Sequence, residues 1–145
     1  MFPLSYPATL KPEPDGKAFV VNFPDLPEAL TSGEDREDAL AEAADCLGCA
    51  LSFRTTEREE IPLPSRPRKG QYLITVPLYL APKLALYMAM RERGVSNSEL
   101  ARRLKCSETV VRRMLDPKHD SKPEKLQAAL AALGKRVLVA IEEAA

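Results

Sequence analysis

The chain lacks tryptophan and has few of the residue types that catalytic and metal sites use. Its 145 residues include one histidine, three cysteines and 6% aromatic residues, so its hydrophobic core must be mostly aliphatic. A single histidine argues against a catalytic triad, and an odd, low cysteine count argues against a disulfide framework. No run approaches the roughly 20 apolar residues that span a bilayer, and the first residues do not resemble a signal peptide. We therefore expect a cytoplasmic protein with reduced thiols.

The net charge of zero conceals an asymmetry along the chain. Residues 1–60 contain five Lys/Arg and thirteen Asp/Glu, a net charge of −8. Residues 61–145 contain sixteen Lys/Arg and eight Asp/Glu, a net charge of +8. A basic half favours a polyanionic partner, and an acidic half favours a basic surface. Chance variation of surface charge is the alternative explanation.

Residues 1–78 are predicted to form an α+β domain with four strands and one long helix between the third and fourth strands. A turn with Gly16 at positive φ joins the first two strands. The helix begins after the N-cap Asp35 and ends at residue 55 or 56, with acidic side chains in its first turn. The proline-rich residues 57–70 are predicted to form a loop or extended segment. The strands are expected over residues 3–12 and 17–23, near 29–31, and over 71–76.

Residues 79–145 are predicted to form a second, mainly α-helical domain. Pro82 is suited to the first position of a helix, and Gly94 is suited to ending it. A terminal β-rich run, Val137 to Ile141, is interpreted as a strand that could pair in a dimer. Further helices are expected over residues 97–104, 107–115 and 122–133.

Residues 95–116 match the pattern of a helix-turn-helix. The small Ala101 lets the second helix approach closely, Ser107 is an N-cap candidate, and Lys105 occupies the turn position where glycine is usual. A lysine in a left-handed conformation costs about 1 kcal/mol relative to glycine. The alternative is a helical pair in a generic bundle. The predicted inward-facing residues are Leu100, Leu104, Cys106, Val111 and Met114 or Leu115.

The second helix of this motif enters the major groove of DNA, with its N-terminal part at the base edges. Thr109 is predicted to contact a base or a thymine methyl group, and Arg112 to pair with guanine. Arg113 is expected at a phosphate, and Glu108 could accept from a cytosine amine. The predicted DNA-binding residues are Asn97, Ser98, Ser107, Glu108, Thr109, Arg112, Arg113 and Lys118.

Other candidate chemistry has simpler explanations. The cysteines of Cys46-Leu47-Gly48-Cys49 fall inside the predicted helix without a second pair, so packed free thiols are expected rather than a zinc or redox site. His119 is expected to be a solvated loop residue. Four carboxylates could suggest a metal-dependent nuclease, but a turn and a helix cap account for two of them. They are Asp15, Asp25, Glu28 and Asp35. We expect no enzyme activity, no cofactor and no metal.

The chain resembles the HicB family of antitoxins over nearly its full length. The most specific motif is Phe23-Pro24-Asp25-Leu26-Pro27 before a Thr/Gly-led helix. Glu28-Ala29 stand where the family often has Gly-Cys. The other matching segments are Tyr6-Pro7-Ala8, Asp15-Gly16, Thr31, Gly33, Asp35, Ala39-Leu40, Ile61-Pro62-Leu63-Pro64-Ser65, Val76-Pro77 and Gly134-Lys135-Arg136.

The resemblance implies an antitoxin whose N-terminal domain, a truncated ribonuclease-H-like fold, covers a small basic HicA-like ribonuclease toxin. It also implies a C-terminal domain that binds the promoter of its own operon, and helix-turn-helix modules usually bind as dimers. A free-standing regulator with a ligand-sensing N-terminal domain and a nuclease are the rival hypotheses. The acidic side chains proposed for toxin binding could instead form a solvated helix face. They are Asp25, Glu34, Glu37, Asp38, Glu42 and Asp45.

Overall fold

The computed structural model describes residues 1–144, and the chain divides into two compact units, Met1–Ala81 and Pro82–Ala145. The sequence prediction placed the boundary between residues 78 and 79. The elements are β1 (Ser5–Pro12), β2 (Phe19–Phe23), β3 (Leu26–Gly33), α1 (Arg36–Thr56), β4 (Tyr72–Thr75), α2 (Ala81–Arg93), α3 (Asn97–Leu104), α4 (Glu108–Leu115) and α5 (Pro123–Ala132). The chain is therefore of the mixed α+β class. Within residues 1–144, no helix combines the length and the apolar character needed to cross a membrane.

The four strands of the first unit form one antiparallel sheet in the order β3-β2-β1-β4. The turn between β1 and β2 is the predicted one, because Gly16 has a φ of +75°. The carboxylate of Asp15 accepts hydrogen bonds from the backbone N–H groups of Lys17 (2.9 Å) and Ala18 (3.0 Å). These bonds stabilise the ionised carboxylate and lower the pKa of Asp15.

Strand β3 is longer than the sequence predicted. A short strand was expected near residues 29–31, whereas pairing with β2 begins at Leu26, opposite Phe23, and continues to Gly33. The register of the β2–β3 pairing shifts between Asn22 and Phe23, and this irregularity lets the two strands pair directly beside the turn that joins them. Pro27 is a poor strand former but is tolerated at a sheet edge, so pairing overrides its local preference.

Helix α1 packs on one face of the sheet. Its predicted N-cap is confirmed, since the Asp35 carboxylate accepts from the backbone N–H of Asp38 (2.8 Å). The Asp38 carboxylate in turn accepts from the backbone N–H of Glu34 (2.8 Å), so two free N–H groups at the helix start are satisfied. A Cβ atom at Gly33 would lie 2.3 Å from the backbone nitrogen of Ala39. The buried core of this unit includes Tyr6, Ala8, Val21, Phe23, Leu26, Ala29, Ala39, Ala43, Leu47 and Leu51.

Side-chain hydrogen bonds fix the proline-rich segment between α1 and β4 to the domain. The Tyr6 hydroxyl donates to the carbonyl of Pro62 (2.7 Å), and Ile61 is buried. The Asp25 carboxylate accepts from both the backbone N–H (2.9 Å) and the hydroxyl (3.0 Å) of Ser65. Arg54 donates to the carbonyl of Glu60 (3.1 Å). The predicted loop is therefore an extended segment with fixed partners.

The second unit contains four helices around an aliphatic core. The bounds of α3 are those predicted, and α4 and α5 each begin one residue later than predicted. Residues 135–144 have no regular secondary structure, so the predicted strand from Val137 to Ile141 does not form within the described chain. Its pairing in a dimer stays a prediction. The core comprises Leu86, Ala89, Met90, Leu100, Ala101, Val111, Met114, Leu126, Ala129, Leu130 and Leu133.

Replacing Tyr6 with phenylalanine should destabilise the protein in a pH-dependent way. The variant leaves the Pro62 carbonyl without its donor, which costs about 1 kcal/mol at neutral pH. Burial raises the pKa of Tyr6 from 10.0 to about 12. The unfolded chain therefore ionises first, and this contribution to stability, complete below pH 10, is lost as the pH rises towards 12.

Urea titrations of the wild type and of Tyr6→Phe at neutral and alkaline pH measure this effect. The stability difference between the two proteins should shrink as the pH passes 10, because only the wild type carries the shifted group. Tyr79→Phe, at an exposed tyrosine of the same unit, is the matched control. A Tyr6→Phe difference that stays constant with pH would contradict the assignment.

Candidate functional site

The three-residue connection between α3 and α4 is fixed by caps on both sides. Ser96 is the N-cap of α3, since its hydroxyl accepts from the backbone N–H of Glu99 (3.1 Å). Lys105 is the C-cap of α3 and has the left-handed conformation (φ 56°, ψ 44°). Ser107 then caps α4 by accepting from the backbone N–H of Val110 (3.4 Å). The predictions of a left-handed Lys105 and a capping Ser107 are confirmed.

The inward faces of α3 and α4 meet as the spacing predicted. Leu100 and Ala101 of α3 are buried, as are Val111 and Met114 of α4. The small side chain of Ala101, which is 5% exposed, lets the two helices approach closely. Leu104, Cys106 and Leu115 are partly buried against the same core. The packing leaves the opposite side of α4 uncovered by its own unit.

The uncovered side of α4, called here the α4 face, consists of Glu108, Thr109, Arg112 and Arg113. All four residues are exposed. The Arg112 guanidinium donates to the Thr109 hydroxyl (3.3 Å), as residues three apart on a helix can. The α4 face therefore presents a carboxylate and a hydroxyl in the first turn of the helix and two guanidinium groups in its last turn.

The other residues predicted to bind DNA lie around the ends of α3 and α4. Asn97 is half-buried at the first position of α3, and Ser98 is exposed with its hydroxyl 3.2 Å from that of Ser96. Lys118 is exposed in the loop after α4, where its backbone N–H donates to Asp116 (2.9 Å). Thus they flank the α4 face rather than extend it.

A cleft of about 180 Å³ opens beside α4. Its lining includes Val110 and Met114 on the apolar side and three cationic residues, Arg113, Lys122 and Lys125. His119 also lines it, with its Nδ1 3.0 Å from the Ser121 hydroxyl. Three cationic side chains and the carboxylate of Asp120 therefore meet at the C-terminal side of α4, where positive charge is in excess.

A different surface is formed by the outer face of α1, defined by Asp38, Glu42, Asp45, Cys49 and Phe53. These residues recur every three or four positions and so share one side of the helix. Glu42, Asp45 and Cys49 are exposed, and Phe53 is 60% exposed. The sequence analysis did not single out Phe53, although its spacing from Cys49 places it on the charged side of α1. The outer face combines carboxylates with one large apolar side chain.

The remaining acidic residues predicted to bind the toxin are not all brought to this face. Glu34 and Glu37 are exposed at the start of α1, whereas Asp25 lies in the turn between β2 and β3 and is bonded to Ser65. Glu28, nearby in β3, pairs with Arg54 (2.5 Å), and this bond lowers the pKa of the carboxyl. The structure therefore separates Asp25 from the acidic residues of α1.

The two units carry opposite charge. Residues 1–81 contain eight Lys/Arg and thirteen Asp/Glu, a net charge of −5, and residues 82–145 contain thirteen and eight, a net charge of +5. The asymmetry seen in the sequence is therefore retained across the unit boundary, although it is smaller there than at residue 60, because three basic residues of the segment 61–81 belong to the first unit. Each unit offers a surface suited to a partner of the opposite charge.

Comparison with known proteins identifies the family. Residues 5–85 match the model of the HicB-like antitoxin of bacterial toxin–antitoxin systems. The chain belongs to the HicB-like antitoxin family. It is 42% identical over 139 residues to Antitoxin HicB 2 of Photorhabdus laumondii, covering 95% of this chain and 97% of the relative. It is 38% identical over 134 residues to Antitoxin HicB of Escherichia coli, covering 92% and 96%.

The antitoxin family gives the chain its broad role. A HicB-like antitoxin acts in a toxin–antitoxin system, so its partner is a toxin and its role is regulatory. The family model ends inside α2, before α3 and α4. Similarity over the second unit therefore rests on the full-length relatives, such as Antitoxin HicB of Pseudomonas fluorescens, 36% identical over 83% of both chains.

The thiols of this HicB-like antitoxin are free. Cys49 is exposed, so the expectation of packed thiols is wrong at that position, while Cys46 is half-buried. Burial, the neighbouring Cys49 and Glu42 raise the pKa of Cys46. Among residues 1–144, no group of three or more His, Cys, Asp or Glu side chains is arranged to hold a metal ion.

Replacing Lys105 with glycine should stabilise the second unit by about 1 kcal/mol, because glycine adopts the left-handed conformation without a Cβ penalty. Gln127→Gly, at an exposed position inside α5, is the matched control. It should destabilise by about 1 kcal/mol, since glycine disfavours a helix interior.

Urea denaturation followed by helical circular dichroism measures both changes. Opposite signs for the two glycine substitutions are expected. A destabilising Lys105→Gly would show that the lysine side chain makes a contact that outweighs its backbone strain.

Proposed function

We propose that this antitoxin neutralises a HicA-like ribonuclease toxin through its N-terminal unit and represses its own operon by binding operator DNA through its C-terminal unit. The observation that carries the DNA-binding part is the α4 face, the exposed side of the second of two capped helices that are joined by a three-residue turn. Membership in the antitoxin family supports the toxin-binding part. The opposite charges of the two units fit a basic RNA-binding toxin and a polyanionic DNA.

The DNA-binding proposal assigns a role to each part of the α4 face. In a helix-turn-helix the second helix lies in the major groove. Thr109 and Arg112, which are already bonded to each other (3.3 Å), are placed at base edges, with Arg112 donating to guanine. Glu108 accepts from a cytosine amine. Arg113 and Lys118 contact phosphates beside the base contacts.

The helix starts supply further phosphate contacts. Asn97, Ser98 and Ser107 lie at the N-terminal ends of α3 and α4, where backbone N–H groups and the helix dipole attract anions. The cationic side of the cleft beside α4 continues the same positively charged surface. Phosphate contacts position the protein, and the base contacts of Thr109 and Arg112 give sequence preference.

A homodimer is proposed as the DNA-binding species, because paired modules read two half-sites of a two-fold operator. The exposed apolar tail offers an interface for it: Leu138 is 61%, Val139 84% and Ile141 92% exposed. A β-rich segment of this kind can be covered by the same segment of a second copy. We infer that Val137 to Ile141 pair in this way.

The toxin-binding proposal centres on the outer face of α1. Glu42 and Asp45 are exposed between the capping Asp38 and the exposed Phe53. Carboxylates around one exposed aromatic side chain suit a basic protein surface, with the aromatic group as a buried anchor. Glu34 and Glu37 extend the acidic area at the helix start. Asp25 acts indirectly, by holding Ser65 in place.

The N-terminal unit is proposed to be a truncated ribonuclease-H-like domain that has no catalytic role. The three-stranded meander, the single helix and the fourth strand beside β1 support this assignment. The carboxylates considered for a nuclease have structural partners, since Asp15 holds a turn, Asp35 caps α1 and Glu28 pairs with Arg54. The unit therefore acts by covering the toxin.

Co-expression with the small open reading frame beside its gene tests the antitoxin function directly. The neighbouring product is induced alone and then together with this chain, and the complex is purified by an affinity tag. Growth arrest with the first, recovery with the second and co-purification are expected. Without arrest and without a complex, a regulator with a ligand-sensing N-terminal domain becomes the better hypothesis.

Replacing Arg112 with alanine should weaken operator binding by about 1–3 kcal/mol through the loss of a guanine contact. Titration of a labelled duplex of the chain's own promoter at constant salt measures the change. Arg66→Ala, at an exposed arginine of the first unit, removes the same charge and should leave the affinity unaltered. Equal affinity of Arg112→Ala and the wild type would refute the placement of α4.

Reversing the charges of Glu42 and Asp45 to lysine should weaken toxin binding by about 1–2 kcal/mol at low salt and by less at high salt, because exposed charge pairs are screened. Glu57→Lys/Glu60→Lys makes the same charge change at two exposed residues after α1 and serves as the control. Calorimetric titration with the purified toxin measures both. A control that binds as weakly as the double reversal would show that net charge acts, not the outer face of α1.

A further inference from the structure

Lys83 is an unusual residue in the second unit because it is almost completely buried. It lies in the first turn of α2 and is 3% exposed. Lysine is rarely buried unless its charge is compensated, and a cation in the first turn of a helix is opposed by the helix dipole. The burial of Lys83 therefore requires strong compensation from other elements.

The compensation comes from the end of α4 and the loop that follows it. The Lys83 Nζ donates to the carbonyls of Arg113 (3.0 Å) and Met114 (3.2 Å) and to the hydroxyl of Ser121 (2.7 Å). An ammonium group has three donors, so all three are used. The two carbonyls lie in the last turn of α4, where the helix dipole favours a cation.

The same point also holds the loop after α4. The Ser121 hydroxyl, besides accepting from Lys83, donates to the carbonyl of Arg113 (3.3 Å). Burial lowers the pKa of Lys83, while the carboxylates of Asp116 and Asp120 act in the opposite direction. One ammonium group thus joins α2, the C-terminal end of α4 and the following loop.

We propose that Lys83 is a positioning residue for DNA recognition, which fixes the angle of α4 by holding its C-terminal end while Ser107 and Lys105 fix its N-terminal end. This inference rests on the proposed operator binding. Lys83 is buried and reaches no DNA itself, so its effect passes through α4. It sets the direction of Thr109 and Arg112 and therefore the preference for one base sequence over another.

The test compares Lys83→Met with Lys118→Met in the full-length chain. Methionine keeps most of the length of lysine and removes its charge and donors. The probes are a labelled duplex of the chain's own promoter and a scrambled duplex of the same composition, each titrated at several salt concentrations. Toxin binding and helical circular dichroism report on the integrity of each variant.

Lys83→Met should lower the ratio of promoter to scrambled affinity by about tenfold, the effect of one misplaced base contact, while the salt dependence stays unchanged. Lys118→Met, at an exposed lysine, should weaken both affinities equally and reduce the salt slope by about 1. A residue with a purely structural role would lower stability without changing the ratio for the folded protein. A Lys83→Met protein that is folded and keeps the wild-type ratio would overturn the proposal.

Ser121→Ala provides the second variant, because it removes one of the three acceptors and leaves the buried charge in place. If Lys83→Met loses its helical signal, Ser121→Ala decides the question. A folded Ser121→Ala protein whose ratio of promoter to scrambled affinity falls, by less than tenfold, supports the proposal. A ratio equal to that of the wild type overturns it. A wild type that binds both duplexes equally would instead refute the operator-binding function itself, so the two failures are distinguishable.

Discussion

The close approach of α1 to the end of β3 determines the geometry of the N-terminal unit. At Gly33 there is no room for a Cβ atom, which would lie 2.3 Å from the backbone of Ala39. The helix begins directly afterwards, at the cap formed by Asp35, and its small residues Ala39 and Ala43 keep it near the sheet. This contact sets the rotation of α1, and the rotation decides which side chains form its outer face. The acidic surface therefore depends on a glycine that it does not contain.

In the C-terminal unit, the backbone conformation of Lys105 and the buried ammonium group of Lys83 hold the two ends of α4. The left-handed Lys105 ends α3 ahead of the turn to α4, and Lys83 holds the end of α4 through two hydrogen bonds and the following loop through a third. Neither lysine belongs to the α4 face. The proposed DNA contacts belong to exposed residues of α4, whereas Lys83 is constrained by packing and Lys105 by its backbone conformation.

Local signals in the sequence were sufficient for the helices, the caps Asp35 and Ser107 and the inward positions of α3 and α4, because each depends on residues within one or two turns. Features that depend on distant partners were missed. Strand β3 is extended by pairing with β2, although Pro27 and Glu28 are poor strand formers. The acceptors of Lys83 lie some 30 residues further along the chain, so no local pattern indicates its burial. Phe53 was missed although its spacing from Cys49 places it on the charged side of α1, because only the acidic positions of that side were considered.

The exposed apolar tail has a consequence for how long the molecule survives. Unpaired terminal segments are preferred sites of proteolytic cleavage, and Val139 and Ile141 are 84% and 92% exposed in a single copy. If a second copy covers this segment, a protease reaches it only in dissociated chains. The rate of proteolysis per chain would then fall as the protein concentration rises, because mass action lowers the fraction of dissociated chains. The half-life of the protein would therefore depend on its concentration, and each chain would be degraded faster when the concentration is low.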